Sequence, residues 1–307
     1  VCMIKEVSIV IHPEKEKDEK FIQKEICLAL KKQGISFEEK DISTVFVKKS
    51  IDARHKNIKL FLRYKVYIGE KPADENSLPE WKTTTGKKTV AIIGSGPAGL
   101  FGALKLLEHG IKPVVIERGS ETSKRKRDIA MISTTGIVDE NSNYCFGEGG
   151  AGTFSDGKLY TRSNKRGNIN GILKIFTHFG ADKKILTDSH PHIGTDKLPA
   201  IVNNIRNFIL QQGGEFLFDT ECVDFILEKS EDEKIVKGVV VKSHGEIKNI
   251  FADAVLLATG HSADSIYTLL AKLSPESLEA KTFAMGVRVE HPRNLIDSIQ
   301  FHGQKNH

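Results

Sequence analysis

Residues 89–93 read as a short apolar strand that runs directly into Gly94-Ser95-Gly96-Pro97-Ala98-Gly99 and then into a helical stretch over 100–109. Few local patterns restrict a chain as much, because each glycine answers a different steric demand. Gly94 permits the tight turn off the strand, Gly96 lets a pyrophosphate approach the backbone, and Gly99 lets the helix pack close on the strand. The start of the helix offers unpaired N–H groups and a partial positive charge to phosphate. Pro97 fits the first helical turn, where a missing N–H has no consequence. Gly110 closes the helix, and residues 113–116 form a second apolar strand ending at Glu117, eighteen residues after Gly99. An acidic residue there can accept from both ribose hydroxyls, which disfavours a 2′-phosphate. The fingerprint leaves FAD and NAD both open, since they share the adenosine half.

Later segments separate the two. Gly147-Glu148-Gly149-Gly150-Ala151-Gly152-Thr153-Phe154-Ser155-Asp156-Gly157 is a second glycine-rich stretch, with backbone donors suited to an anion or a flat ring at close approach. Near the end, an apolar strand over 253–257 meets Ala258-Thr259-Gly260, which resembles the returning segment of flavoproteins of the glutathione-reductase type. Residues 213–223 resemble the strand that brings backbone, here at Val223, to the adenine edge in those proteins.

From 90 to about 297 the chain resembles a bacterial family of uncharacterised FAD-dependent dehydrogenases. The strings that carry the likeness are Phe146 to Leu159, Pro191-His192-Ile193-Gly194-Thr195-Asp196-Lys197-Leu198, Gly260-His261-Ser262-Ala263 and Gly286-Val287-Arg288-Val289-Glu290-His291-Pro292. The resemblance implies FAD held by Gly94, Ser95, Gly96, Pro97, Ala98, Gly99, Glu117 and Arg118. It implies that Gly149, Gly150, Thr153, Val223, Thr259 and Gly260 pack on the same cofactor. A flavin carries the redox step itself, and the protein positions a hydride donor. His261, Arg288, Glu290 and His291 are the polar groups in family-specific strings and so the first candidates for catalysis. Members of the family continue beyond this point to a further glycine-rich segment, so the chain is expected to be incomplete at its C-terminus. Apolar surface is then expected to stand exposed around 255–257 and 283–289.

The rest of the chain bounds the alternatives. At 307 residues and 39% hydrophobic content the protein is long enough for more than one core. A net charge of +5, spread over 45 basic and 40 acidic residues, gives no polyanion-binding field, so nucleic acid is not an expected partner. Cys2, Cys27, Cys145 and Cys222 form no CxxC pair, which argues against a disulfide reductase and a thiolate metal site. Cys145 reads as a small buried filler. His190 and His192 lack further ligands at recognisable spacing, so no metal is expected. The cluster Lys124-Arg125-Lys126-Arg127 reads as a solvated helix face. With no long apolar run, the expectation is a cytoplasmic protein that does not meet a membrane.

Residues 1–82 read as a small α+β domain: a strand over 7–11, a helix stopped by Gly34, and a strand over 58–68 with a basic outer face. A linker runs to about 87. Residues 88–160 and about 214–265 are expected to form the Rossmann-type FAD domain, with an inserted substrate region over about 161–213 and 266–307. The expected activity is hydride transfer between a small-molecule substrate and FAD, with NAD(P)H a possible electron donor. Two alternatives stay open: an NAD-linked dehydrogenase, and a non-catalytic flavin-binding adaptor whose N-terminal domain binds RNA or protein.

Overall fold

The computed structural model of the protein describes residues 3–55, 57–72, 78–161, 167–194, 196–229, 234–282, 285–287 and 289–301. The N-terminal unit consists of β1 (Met3–Ile11), α1 (Glu19–Lys32), β2 (Ile42–Asp52) and β3 (Lys59–Ile68). Its sheet is antiparallel in the order β1-β3-β2. Period-two alternation puts Val7, Ile9, Ile11, Leu60, Leu62 and Val66 on one face, where Ile26 and Leu30 of α1 cover them. Asp18 caps α1, and Gly34 (φ +73°) ends it. Strand β2 is absent from the sequence reading because a register shift at Phe46/Lys48 breaks its alternation.

The second unit is α/β and of Rossmann type. Strands β4 (Thr89–Ile93), β5 (Lys112–Ile116), β6 (Glu215–Leu217) and β10 (Ala254–Leu257) form a parallel sheet in the order β10-β4-β5-β6. Helix α2 (Pro97–Glu108) makes the crossover from β4 to β5; α3 (Thr122–Thr135), α4 (Ile169–His178) and α5 (Leu198–Gln211) fill the connection to β6. An antiparallel meander of β7 (Thr220–Lys229), β8 (Lys234–Ser243) and β9 (Glu246–Phe251) precedes β10, and α6 (Asp264–Leu273) and α7 (Arg293–Phe301) follow it.

Two cores sandwich the parallel sheet. Ile92, Leu104, Leu107 and Val115 pack with Leu173, Ile201, Ile205 and Ile209 on one face. On the other, Ala91, Ile93, Val114 and Ile116 pack with Cys222, Val239, Val241 and Ile266. Residues 169–211, expected as part of an insert, therefore belong to the same core as the fingerprint helix. The apolar stripes of α4 and α5 have the sheet face beside α2 to cover, and burying them there removes the need for a separate body. The end of the expected N-terminal domain and the linker after it are also docked, from Leu78 onward, on this core: Trp81 packs against Phe179 and Phe208, and the N–H groups of Lys82 and Thr84 donate to Leu107 and Gln212. Lys49 of β2 pairs by backbone with 187–189, joining the two units at a sheet edge.

At the far end, Leu256 and Leu257 are about two-fifths exposed, and Met285 and Val287 are 88% and 90% exposed. No helix among the described residues is long and apolar enough to cross a membrane.

Candidate functional site

The C-terminal ends of β4, β5 and β10 open into a cleft of about 530 Å³. Ligands collect at this end in open α/β sheets because the strand-to-helix turns leave free backbone donors there. Gly94, Gly96, Pro97 and Ala98 form one wall, Glu117 and Arg118 the next, and Gly147, Gly150 and Ala151 a third. Thr220 to Cys222 and the run Leu257 to Ala263 close the remainder.

The three fingerprint glycines differ in what constrains them. Gly94 has φ +106°, and a Cβ there would collide with Ala258 O of the neighbouring strand end. At Gly99 a Cβ would strike Gly94 O. Gly96 has ordinary backbone geometry, and its nearest neighbour for a Cβ is Gly150 Cα at 3.6 Å. The protein itself therefore has room for a side chain at Gly96, and that room faces the cleft. No side chain caps the α2 N-terminus, and the N–H groups of Gly96, Ala98 and Gly99 have no hydrogen-bond partner among the described residues.

Glu117 is 5% exposed and its carboxylate collects four protein donors. Oε2 accepts from Ser95 N (2.9 Å) and Ser95 Oγ (2.7 Å); Oε1 accepts from Gly119 N (2.9 Å) and Gly147 N (3.0 Å). The carboxylate expected from sequence to accept from ribose hydroxyls is thus occupied by protein donors. It also ties the first glycine loop to the second. Three of the donors are backbone groups fixed by the fold, so a ribose hydroxyl would have to share an oxygen with them or displace the rotatable Ser95 hydroxyl. Arg118 lies beside it, with its guanidinium 4.6 Å from the Phe146 ring centroid and Nε bonded to Asn141.

Arg125 is the residue that the sequence reading misplaced. It is 1% exposed, with Nε and both Nη groups donating to the carbonyls of Asn143, Tyr144, Gly147, Glu148 and Gly150. Burial holds its pKa below the ordinary arginine value, while the charges of Glu117, Cys145 and Glu148 act in the opposite sense. Helical phase is the signal that would have found it: Thr122, Arg125 and Ile129 share the buried stripe of α3 and leave Lys124, Lys126 and Arg127 off it. Glu148, fully buried, accepts from Thr122 N at the start of α3 and pairs with Arg206 at 3.1 Å. Burial pushes its carboxyl pKa up, and Oε1 has no partner among the described residues.

The remaining expected site residues divide. Thr259, Gly260 and His261 line the cleft, with Gly260 at φ +72°. Gly149 and Thr153 sit behind the second loop: a Cβ on Gly149 would collide with Thr153 Oγ1, and Thr153 is fully buried. Val223 is outside the lining, in a register shift of β7 that leaves it partly exposed. The wall there comes from Thr220 to Cys222 instead. Glu290 and His291 are exposed and do not line the cleft, and Arg288 falls outside the described residues. Cys145 is exposed and lines the cleft rather than filling a core. Cys222 is buried, which pushes its thiol up to about 12. Among the described residues no cluster of three or more His, Cys, Asp or Glu side chains could hold a metal ion.

Residues 87–137 match the FAD binding domain family, and residues 3–67 match a domain of unknown function (DUF8436). An uncharacterized protein of Clostridium beijerinckii is 37% identical over 303 residues, which cover 93% of this chain and 54% of that one. A flavin-containing monooxygenase, FMO GS-OX-like 9 of Arabidopsis thaliana, is 24% identical over 194 residues, covering 57% and 37%. Among solved structures, THI4 of Thermovibrio ammonificans superposes with a TM-score of 0.41 at 18% identity, covering 61% of this chain and 63% of that one. The chain spans about half the length of the first relative and little more than a third of the second. The fingerprint unit matches an FAD binding domain, and FAD is the cofactor its residues fit.

Proposed function

We propose that this chain is the flavin-holding part of an FAD-dependent oxidoreductase that moves a hydride between a small organic substrate and FAD. The observation that carries the reading is the convergence of two glycine loops and a buried acidic residue on one cleft at the strand ends. Gly96 and Ala98 at the uncapped start of α2, with Ala151 opposite, would hold the pyrophosphate through backbone N–H groups. Glu117 and Arg118 would take the adenosine ribose. When bound, FAD supplies a hydride acceptor, which no side chain of this chain offers.

His261 and Ser262, on the turn after β10, also line the cleft, as does Tyr267 of α6. An imidazole there can hold or pass a proton as a substrate carbon–hydrogen bond is broken, because one ring nitrogen donates while the other accepts. Leu257, Ile266 and Leu270 give the lining apolar side chains there. NADH or NADPH would serve as reductant if the substrate is the electron acceptor.

Purification without added cofactor, followed by absorbance and release of the bound molecule, tests the reading. Yellow protein that releases FAD, and whose spectrum is bleached anaerobically by NADH, NADPH or a member of a substrate panel, is the expected result. Colourless protein that ignores FAD and takes up NAD would overturn it. Bound FAD that no reductant reaches would point to the adaptor function.

A further inference from the structure

We infer that Arg125 is a positioning residue for the diphosphate of the cofactor: its buried guanidinium turns the Gly150–Ala151 peptide so that the Ala151 N–H faces the cleft opposite the start of α2. The inference rests on the FAD reading above. Gly150 O accepts from Arg125 Nη1 at 2.8 Å, and in a trans peptide the following N–H points the opposite way. Ala151 lines the cleft, and its N–H has no partner among the described residues.

The other N–H groups nearby are already engaged. Gly147 N donates to Glu117, Glu148 N to Ser120 O, Gly149 N to Ser95 O and Gly150 N to Gly147 O. The loop is therefore fixed on both sides, and the Ala151 peptide is the one left to meet a ligand from this stretch of 147–151. Its position relative to the first loop is also fixed. A Cβ on Gly150 would lie 3.1 Å from Gly96 Cα and 3.2 Å from Pro97 Cδ, so the two loops abut at the mouth of the α2 N-terminus. A diphosphate seated on Gly96 and Ala98 would meet Ala151 from the other side.

Charge strengthens the same conclusion. Five carbonyls aimed at one guanidinium place their negative ends inward and their positive ends outward, and the cation behind them adds to that polarity. No carboxylate pairs directly with Arg125 among its hydrogen bonds, so its charge is not cancelled at contact range. Gly147 is glycine for this reason: a Cβ there would collide with the Arg125 side-chain stem. Lysine cannot replace the arrangement, because one ammonium offers three donors at a point rather than a planar fork.

Calorimetric titration of the full chain with ADP and with adenosine tests the role, since only ADP carries the diphosphate. Arg125→Lys should lower the ADP-over-adenosine preference by about tenfold, the worth of one hydrogen bond to a charged group, while leaving adenosine affinity unchanged. A purely structural role would weaken both ligands together. A second measurement needs no variant: in the wild-type chain, the Ala151 amide resonance should move downfield on addition of ADP and stay in place with adenosine. An unmoved Ala151 amide in a chain that binds ADP overturns the inference even if Arg125→Lys fails to fold. So does an unchanged ligand preference in a folded Arg125→Lys protein. A wild-type chain that binds neither FAD nor ADP would instead overturn the cofactor reading beneath it.

Discussion

Replacing Glu117 by glutamine separates a ligand role from an architectural one. The carboxylate accepts four hydrogen bonds, two on each oxygen. The amide keeps one acceptor oxygen, which suffices for Gly119 N and Gly147 N. Its NH2 group must then face Ser95. The Ser95 hydroxyl can rotate and accept, but the Ser95 N–H is stranded in a buried site. That orphan costs about 1–3 kcal/mol, and each of the other three bonds loses its charge assistance, roughly 1 kcal/mol apiece. Glutamine no longer buries a charge, which offsets part of the loss and leaves a net of about 2–4 kcal/mol. Against a typical domain stability of about 5–15 kcal/mol the variant still folds, with a lower urea midpoint and an unchanged slope. The essential point is that the loss appears in protein stripped of FAD. Ser95→Ala, which deletes one of the four bonds, should lose about 1 kcal/mol in the same assay. A Glu117→Gln protein as stable as wild type without FAD, yet impaired in binding it, would refute the claim that this carboxylate holds the two loops together.

Gly96→Ala should stay within about 0.5 kcal/mol of wild-type stability, because the protein has space for the methyl, while flavin content after purification falls sharply. Gly94→Ala, with φ +106° and Ala258 O in the way, should fail to accumulate as folded protein in a solubility assay. Cys145 should be alkylated by iodoacetamide at pH 8 and be protected by FAD, whereas Cys222, its thiol raised to about 12 by burial, should stay unmodified in peptide mass mapping. Glu148 has a folded pKa raised above 4.5, so the folded form binds more protons over that window. Its contribution is present below pH 4.5 and lost as pH rises through the folded value; Glu148→Gln should abolish that part of the stability–pH profile in urea melts.

What the sequence made legible is local. The strand, the three glycines, the helix they start and Glu117 at the next strand end lie within thirty residues of one another, so spacing alone orders them. Residues 253–257 are legible as a strand for the same reason. What escaped depends on partners distant in the chain. Arg125 looks like part of a basic surface run until Gly147 and Gly150, more than twenty residues away, claim its guanidinium. The meander of β7 to β9 and the strand β2 carry register shifts that break the alternation a reader relies on. Helices α4 and α5 show their apolar stripes in sequence, but not that the stripes share a core with α2. Glu290 and His291 were singled out by resemblance alone, and the cleft does not include them.

Glu117 and Arg125 are two buried opposite charges that do not spend themselves on each other. The carboxylate gathers N–H groups, from Ser95, Gly119 and Gly147; the guanidinium gathers carbonyls, from Asn143 through Gly150. Gly147 is where the two meet, giving its N–H to one and its C=O to the other. A direct ion pair would satisfy both charges and leave the glycine loops to find other partners, with peptide orientations unspecified. Distributing each charge over backbone groups instead fixes how individual peptides face, and it excludes a side chain at Gly147, where a Cβ would strike the Arg125 stem. Gly147 thus follows from the charge behind it, as the glycines of the first loop follow from the strand and helix beside it. Both loops arrive at the cleft with their remaining N–H groups unspent, which is the condition for binding a phosphate through backbone alone.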